Sequence, residues 1–377
     1  MSEELLPKTT PERKSLAQQP TSSPTLPERM AFSSIQNNWQ LATLLGMKSV
    51  KLLTWLGKTK STHYSQLYIR KKGKSSKLRL LHNPDTWMRS AQFRICAAIL
   101  NRITVPNYIY AFERDKNIPG MAANHVRKKV VVSLDIKDFF HSIKQRTLQE
   151  LFGKYGFGEK PARTLSELCT FKSYVPQGAI TSPKISNLIA ADSFGPRIKQ
   201  YCDDKGLTLT IYADDITVSS DDKDTPVGDI IREITSIVSS FGFRVNTKKT
   251  KVMRTYHRQY VCGVVVNEKT NMMKKERLRL RAIVHNLAMN GAANEALKNK
   301  TTPENFINVI RGRINWFRQL NQVQGSRLMS KFNEALARWN LDTGAALEQP
   351  SSLDNNTEIP EPHEIPWGDT QPAVAIA

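Results

Sequence analysis

The hydrophobic and polar positions of this chain predict strands through its middle and helices toward its end. Val130-Val131-Val132-Ser133-Leu134-Asp135 is a β-branched run closed by a carboxylate, the pattern of a buried strand. The apolar runs 207–211 and 216–218 flank Tyr212-Ala213-Asp214-Asp215, which predicts a β-hairpin with an acidic pair at its tip. Earlier, residues 68–81 alternate basic and apolar side chains around a Gly-Ser turn, the pattern of another hairpin. After Asn267 the period changes. Leu278, Leu280, Ile283 and Leu287, then Phe306, Ile310, Ile314, Phe317 and Leu320, recur near the helical spacing.

An Asp-Asp pair at a turn is also an ordinary turn dipeptide. Successive strand residues point to opposite faces, so at most one of the two serves the turn without the other facing something cationic. Asp135 adds a third acid at a strand end. Two-metal phosphoryl transfer needs carboxylates that bridge a pair of Mg²⁺ ions about 3.5 to 4 Å apart, at the attacking 3′ oxygen and the leaving pyrophosphate. Asp135, Asp214 and Asp215 could supply them; the alternative for Asp135 and Asp138 is to cap the helix that follows. Between these acids lies Val175-Pro176-Gln177-Gly178-Ala179-Ile180-Thr181-Ser182-Pro183, a loop that leads into the helix-compatible stretch 185–191. Such a loop brings a nucleotide close to backbone N–H groups at a helix start.

The ordered strings LDIKDFF, VPQGAITSPKISN and IYADD resemble palm motifs A, B and C of reverse transcriptases, and on a chain of this size most resemble bacterial retron-type enzymes, over roughly residues 60–340. The resemblance implies an α+β right-hand polymerase fold with fingers, a palm built on an antiparallel sheet, and a helical thumb. It makes Asp135 and Asp214 the principal ligands of two Mg²⁺ ions, with Asp215 the third carboxylate. Phe140 matches the steric gate that selects deoxynucleotides, while Phe139 is expected to point the other way along the strand. Gln177 matches the residue against the incoming dNTP, with Gly178 allowing close backbone approach. Lys77 and Arg79 on the fingers hairpin match triphosphate contacts, Arg as a bidentate clamp and Lys as a point charge; Arg114 is a further candidate. Phe241 to Val252 resembles motif D, in which Lys248 or Lys249 would protonate the departing pyrophosphate. Val261-Cys262-Gly263 falls where retron enzymes carry Val-Thr-Gly, and Met121-Ala122-Ala123-Asn124-His125 where they carry Asn-Ala-x-x-His. Neither departure touches a metal-binding position.

Composition points to the same partner. The net charge is +21, and the residues after Ala346 hold six acids and no Lys or Arg, which leaves +27 on the remainder. Charge of that size attracts phosphate backbones through counterion release. No apolar run approaches the about 20 residues that span a bilayer, and the start lacks the apolar core of a signal peptide. Cys96, Cys169, Cys202 and Cys262 show no Cys-x-x-Cys spacing and read as reduced thiols of a cytoplasmic, bacterial protein. The scattered histidines form no cluster with them, so structural zinc is not expected.

These features predict a Pro-rich disordered tail over 1–32, N-terminal helices and fingers over 33–130, a palm over 131–268, a basic thumb over 269–346 and a disordered acidic tail over 347–377. Lys274, Lys275, Arg277, Arg279, Arg281, Arg311, Arg313, Arg318 and Arg327 would line the outer thumb, with Arg311, Arg313 and Trp316 against duplex or structured RNA. The implied activity is that of an RNA-directed DNA polymerase. It would bind a structured noncoding RNA of the msr–msd type, copy part of it into single-stranded DNA (msDNA), and serve in antiphage defence with an effector or toxin encoded nearby. Two alternatives stay open: a defence-associated reverse transcriptase that makes DNA from a protein primer or without a template, and a non-catalytic RNA-binding scaffold.

Overall fold

The computed structural model describes residues 32–70 and 78–339. They fall into two units, one made of the residues up to Arg277 with Gln319–Gln322, the other of Leu278–Arg318 with the residues from Val323 onward.

The first unit opens on α1 (Asn38–Leu44) and α2 (Val50–Lys58). Asn37 and Gln40 cap α1 reciprocally, each side chain satisfying a backbone N–H of the other. Phe32, expected in the tail, instead lies buried and stacks on Phe157 at 4.7 Å, so the fold begins by this residue. The basic hairpin follows as β1 (Tyr64–Arg70) and β2 (Leu78–Pro84), antiparallel with Arg70 opposite Leu78. Lys77 and the Gly-Ser turn lie outside the described residues. Asp85 then caps α3 (Thr86–Ala98) by accepting from the Met88 N–H at 2.9 Å.

After α4 (Ile118–Ala123), the run Val130–Asp135 becomes β3. The chain continues through α5 (Phe139–Ser142), α6 (Gln145–Lys154), α7 (Glu159–Leu168), α8 (Ser182–Asp192) and α9 (Phe194–Asp204) to the hairpin β4 (Thr208–Tyr212) and β5 (Asp215–Ser220). Next come α10 (Val227–Ser240), β6 (Lys251–Arg254) and the short hairpin β7 (Tyr260–Val261) with β8 (Val264–Val265). The central sheet has the order β4-β5-β3-β6, antiparallel at every pairing. Its register sets Val132 between Val218 and Val252, and Asp135 opposite Asp215. Because β3 is flanked on both edges and covered on both faces, it reads as a continuous β-branched run rather than an alternating one. Val130, Val132 and Leu134 pack in one core with Leu188, Ile198, Ile234 and Val238 from the helices.

The second unit is helical, built on α11 (Lys274–Lys298), α12 (Pro303–Leu320) and α13 (Gln322–Arg338). Phe306, Ile310, Ile314 and Phe317 are buried as their spacing predicts. On α11 the buried stripe is instead Leu280, Val284 and Leu287, and Leu278 is 50% exposed. A residue two positions before Leu280 lies about 200° around the helix, off that face. α11 breaks at Gly291 (φ 77°, ψ 162°), a conformation closed to L side chains, and the Trp339 ring fills the space a Cβ would need. Trp339 also donates its indole N–H to the Ala288 carbonyl at 3.3 Å, so it anchors this unit.

Candidate active site

Three carboxylates meet at one end of the sheet because of strand register. Asp135 ends β3 directly opposite Asp215, which begins β5, and Tyr212 pairs with Asp215 across the turn Ala213-Asp214. Ala213 takes φ 53°, an uncommon conformation for a non-glycine residue, and the Asp214 carbonyl accepts from the Ile136 N–H at 2.8 Å. The turn is thereby tied to the strand that carries the third acid.

Motif D meets the same end. Asn246 donates its backbone N–H to the Asp135 carbonyl at 2.7 Å and its side-chain amide to Asp135 Oδ2 at 3.3 Å. Lys249 Nζ lies 2.5 Å from Asp135 Oδ1. Of the two lysines that the sequence left open, both exposed, the one brought to the acids is Lys249, through its ion pair with Asp135. The hydrogen bond to Asp135 raises the Lys249 pKa and keeps its ammonium charged.

Crowding of negative charge is the electrostatic signature of this end. Burial, then the charges of Asp214 and Asp135, push Asp215 up to about 6. Burial and Asp135 also raise Asp214, against the opposing pull of Lys249 and Arg79, which places Arg79 of β2 within charge range of the turn. The β7–β8 hairpin is near as well: burial followed by Asp215 and Asp214 pushes Cys262 up to about 12. Cys262 and Gly263 both take positive φ, 44° and 84°, as a two-residue turn of this twist requires.

The other sequence-derived residues surround this end at varying remove. Phe139 and Phe140 lie on the single turn α5 rather than on the strand, because Asp138 enters the left-handed region (φ 49°) and starts the helix, without capping it through its side chain. Phe139 is buried against Phe194 and Phe243, whereas Phe140 is half-buried; the two rings diverge through the helical turn, not through strand alternation. The Gln177 carbonyl accepts from the His82 N–H at 2.7 Å, which clips the motif B loop to β2. A Cβ at Gly178 (φ 113°) would stand 2.7 Å from the His82 carbonyl, so this contact admits glycine alone. Arg114 is exposed on the loop after Glu113.

Some residues that organise the site were visible in the sequence only as positions within the resembled strings, without their partners. Asn246 sat inside a charged segment that read only as motif D. His125 is fully buried, with Nδ1 2.7 Å from Ser219 Oγ and Nε2 2.7 Å from Thr210 Oγ1, and so ties the chain before β3 to β4 and β5. Lys184 of α8 reaches both Glu113 oxygens, at 2.9 and 2.7 Å, and Asn187 donates to Glu113 at 2.8 Å and to the Ala111 carbonyl. No local pattern announces such a pairing across more than seventy residues of chain.

The sheet order, the acids at adjoining strand ends and the clipped glycine loop define a polymerase palm. A model of the reverse transcriptase (RNA-dependent DNA polymerase) family matches residues 69–280, and the chain belongs to that family. Its curated relatives make it a retron-type member. It is 28% identical over 248 residues to the Retron Ec86 reverse transcriptase of Escherichia coli, covering 65% of this chain and 76% of that one. It is 33% identical to the Retron Mx65 reverse transcriptase of Myxococcus xanthus, over 59% of this chain and 56% of that one, and 27% identical to the Retron Se72 reverse transcriptase of Salmonella heidelberg, over 78% of each. Among solved structures, telomerase from Candida albicans in complex with a telomeric RNA fragment aligns over 76% of this chain and 61% of that one, with TM-score 0.44 and 11% identity. The family match makes the fold the α+β right-hand polymerase fold, and the activity that of an RNA-directed DNA polymerase. Enzymes of this family use divalent metal ions. No helix among the described residues is long and apolar enough to cross a membrane.

Proposed function

We propose that this protein binds a cognate structured RNA of the msr–msd type and copies part of it into single-stranded DNA, in the cytoplasm of a bacterium and in antiphage defence. The observation that carries the reading is the set of three carboxylates at adjoining strand ends, with one lysine bound to the first of them.

Among the described residues no three His, Cys, Asp or Glu side chains already converge on a common point, and the cation at Asp135 is the Lys249 ammonium. The donors nevertheless fit a hard divalent ion: they are carboxylate oxygens, half or more buried, whose mutual repulsion lacks full compensation. Asp135, Asp214 and Asp215 are the residues that would hold two Mg²⁺. Bound there, the metal would supply charge stabilisation at the 3′ oxygen and at the pyrophosphate. Lys249 is the proton donor to the leaving pyrophosphate, and holding its ammonium beside Asp135 keeps that proton at the site. Arg79, with Lys77, binds the triphosphate. Phe140 excludes the ribonucleotide 2′-OH, and Gln177 with Gly178 bears on the incoming dNTP.

The RNA has a second anchorage in the helical unit. A cavity of ≈ 770 Å³ there is lined, among the described residues, by Arg281, Arg327, Lys331 and Arg338 together with Glu334. Cations gathered in a groove suit phosphates of a folded RNA, which is recognised mainly by shape and backbone.

Sequencing the nucleic acid that copurifies with the protein tests the reading. Wild-type protein is expected to carry RNA joined to complementary DNA, and Asp214→Asn/Asp215→Asn protein the RNA alone. DNA free of RNA or linked to protein would favour the defence-associated alternative. RNA alone on both proteins would favour the scaffold.

A further inference from the structure

We infer that Phe112 is a nucleic-acid contact, its ring set against the end of the primer–template beside the acidic turn. The inference rests on the polymerase reading and adds to it a residue outside the motifs that carry that reading.

Phe112 is delivered to this place by the sheet. The Ile211 N–H donates to the Tyr108 carbonyl at 2.7 Å and the Tyr110 N–H to the Ile211 carbonyl at 2.9 Å, so the segment before Phe112 runs parallel along the free edge of β4. The chain then arrives level with Tyr212, the last residue before the acidic turn, and the two rings stand 6.2 Å apart.

Its conformation is imposed. Phe112 takes φ 59°, where an aromatic residue is a true outlier. The residues on either side are pinned from α8. Asn187 donates to the Ala111 carbonyl and to Glu113, and Lys184 binds both Glu113 oxygens in an almost fully buried ion pair, with side chains 9% and 16% exposed. This clamp holds the backbone in a strained turn, and the strain does not serve packing, because the Phe112 ring is left 44% exposed. A large apolar side chain held strained and exposed at the edge of a catalytic site marks a surface made for a ligand. An exposed aromatic face suits bases and riboses of any sequence, which is what a polymerase that moves along its template requires.

The test separates ring from backbone. Asparagine tolerates the left-handed region, so Phe112→Asn keeps the turn and removes the ring, whereas Phe112→Tyr and Phe112→Trp keep the ring. Full-length proteins would extend a DNA primer annealed to a heteropolymeric RNA. The expected result for Phe112→Asn is a KM for primer–template raised about tenfold, as the loss of one base–aromatic stack implies, with shorter products and an unchanged KM for dNTP. Its thermal midpoint should equal or exceed that of wild type, because strain is relieved, and the Tyr and Trp variants should restore primer–template binding. Wild-type KM and product length in Phe112→Asn, a loss confined to the dNTP KM, or failure of both aromatic variants to restore binding would overturn this inference alone. Wild-type protein that extended no primer would overturn the polymerase reading and the inference with it.

Discussion

The β4–β5 hairpin carries polar groups in two places, and they are opposite in character. In its interior, His125 is fully buried between Thr210 of β4 and Ser219 of β5, and both ring nitrogens have a hydroxyl at 2.7 Å. Burial, then Lys128, lowers its pKa to about 4, so the imidazole is neutral at pH 7 and its hydrogen bonds are complete. At the tip, Asp214 and Asp215 face Asp135, remain half-buried, and hold charge that Lys249 and Arg79 only partly offset. A satisfied neutral network stabilises the sheet, whereas an unsatisfied cluster of like charges is a standing liability that the fold tolerates for chemistry.

The largest test of that contrast is to neutralise the tip. Asp214→Asn/Asp215→Asn should lower the rate of primer extension by at least about 10³-fold, since it removes oxygen ligands from the reacting centre. The same substitutions should leave thermal stability at or above wild type, because amides of equal shape end the repulsion. Scanning calorimetry in a chelator beside single-turnover extension checks both; a variant that is inactive because it is unfolded would break the contrast.

The interior responds in the opposite sense. His125→Leu strands two buried hydroxyls, and the expected loss is about 2–4 kcal/mol of unfolding free energy in urea. The extension rate per folded molecule should stay within a few fold of wild type. A loss of rate as large as at the tip, with stability intact, would mean that His125 takes part in catalysis.

How much of this was legible in the sequence depends on how local the signal is. The acids could be found because register places them at strand ends, and strand ends can be read from β-branched runs. The helical stripe of α12 was legible for the same reason, whereas the face of α11 was misjudged at Leu278, since two overlapping apolar spacings compete there. The clamp on Phe112 and the His125 bridges were not legible, because each joins polar residues separated by more than seventy positions whose partners are chosen only by the packed fold. The choice of Lys249 over Lys248 also needed three dimensions, as both fit the spacing.

The smallest effect is a pH dependence in which the two regions pull against each other. Asp215 has its pKa raised to about 6 in the fold, so its contribution to stability is fully present below its unfolded value and is lost as pH rises from about 4 to 6. His125 has its pKa lowered to about 4, so it contributes above its unfolded value of about 6.5 and that contribution is lost as pH falls toward 4. The windows overlap with opposite slopes, each at most about 1.4 kcal/mol per pH unit. Urea unfolding from pH 4 to 7 without divalent ions should therefore change shape in each variant relative to wild type. Asp215→Asn, with one carboxylate fewer opposing the histidine, should weaken more steeply on acidification, and it should be about 1–3 kcal/mol more stable than wild type at pH 7. His125→Gln, which keeps a hydrogen-bonding side chain but cannot titrate, should instead gain stability on acidification. Adding Mg²⁺ at pH 7 should raise the thermal midpoint of wild type and of His125→Gln but not of Asp214→Asn/Asp215→Asn, because only an intact tip binds the ion in the folded state. An equal rise in all three would place the ion elsewhere and remove the reason for the charge held at the tip.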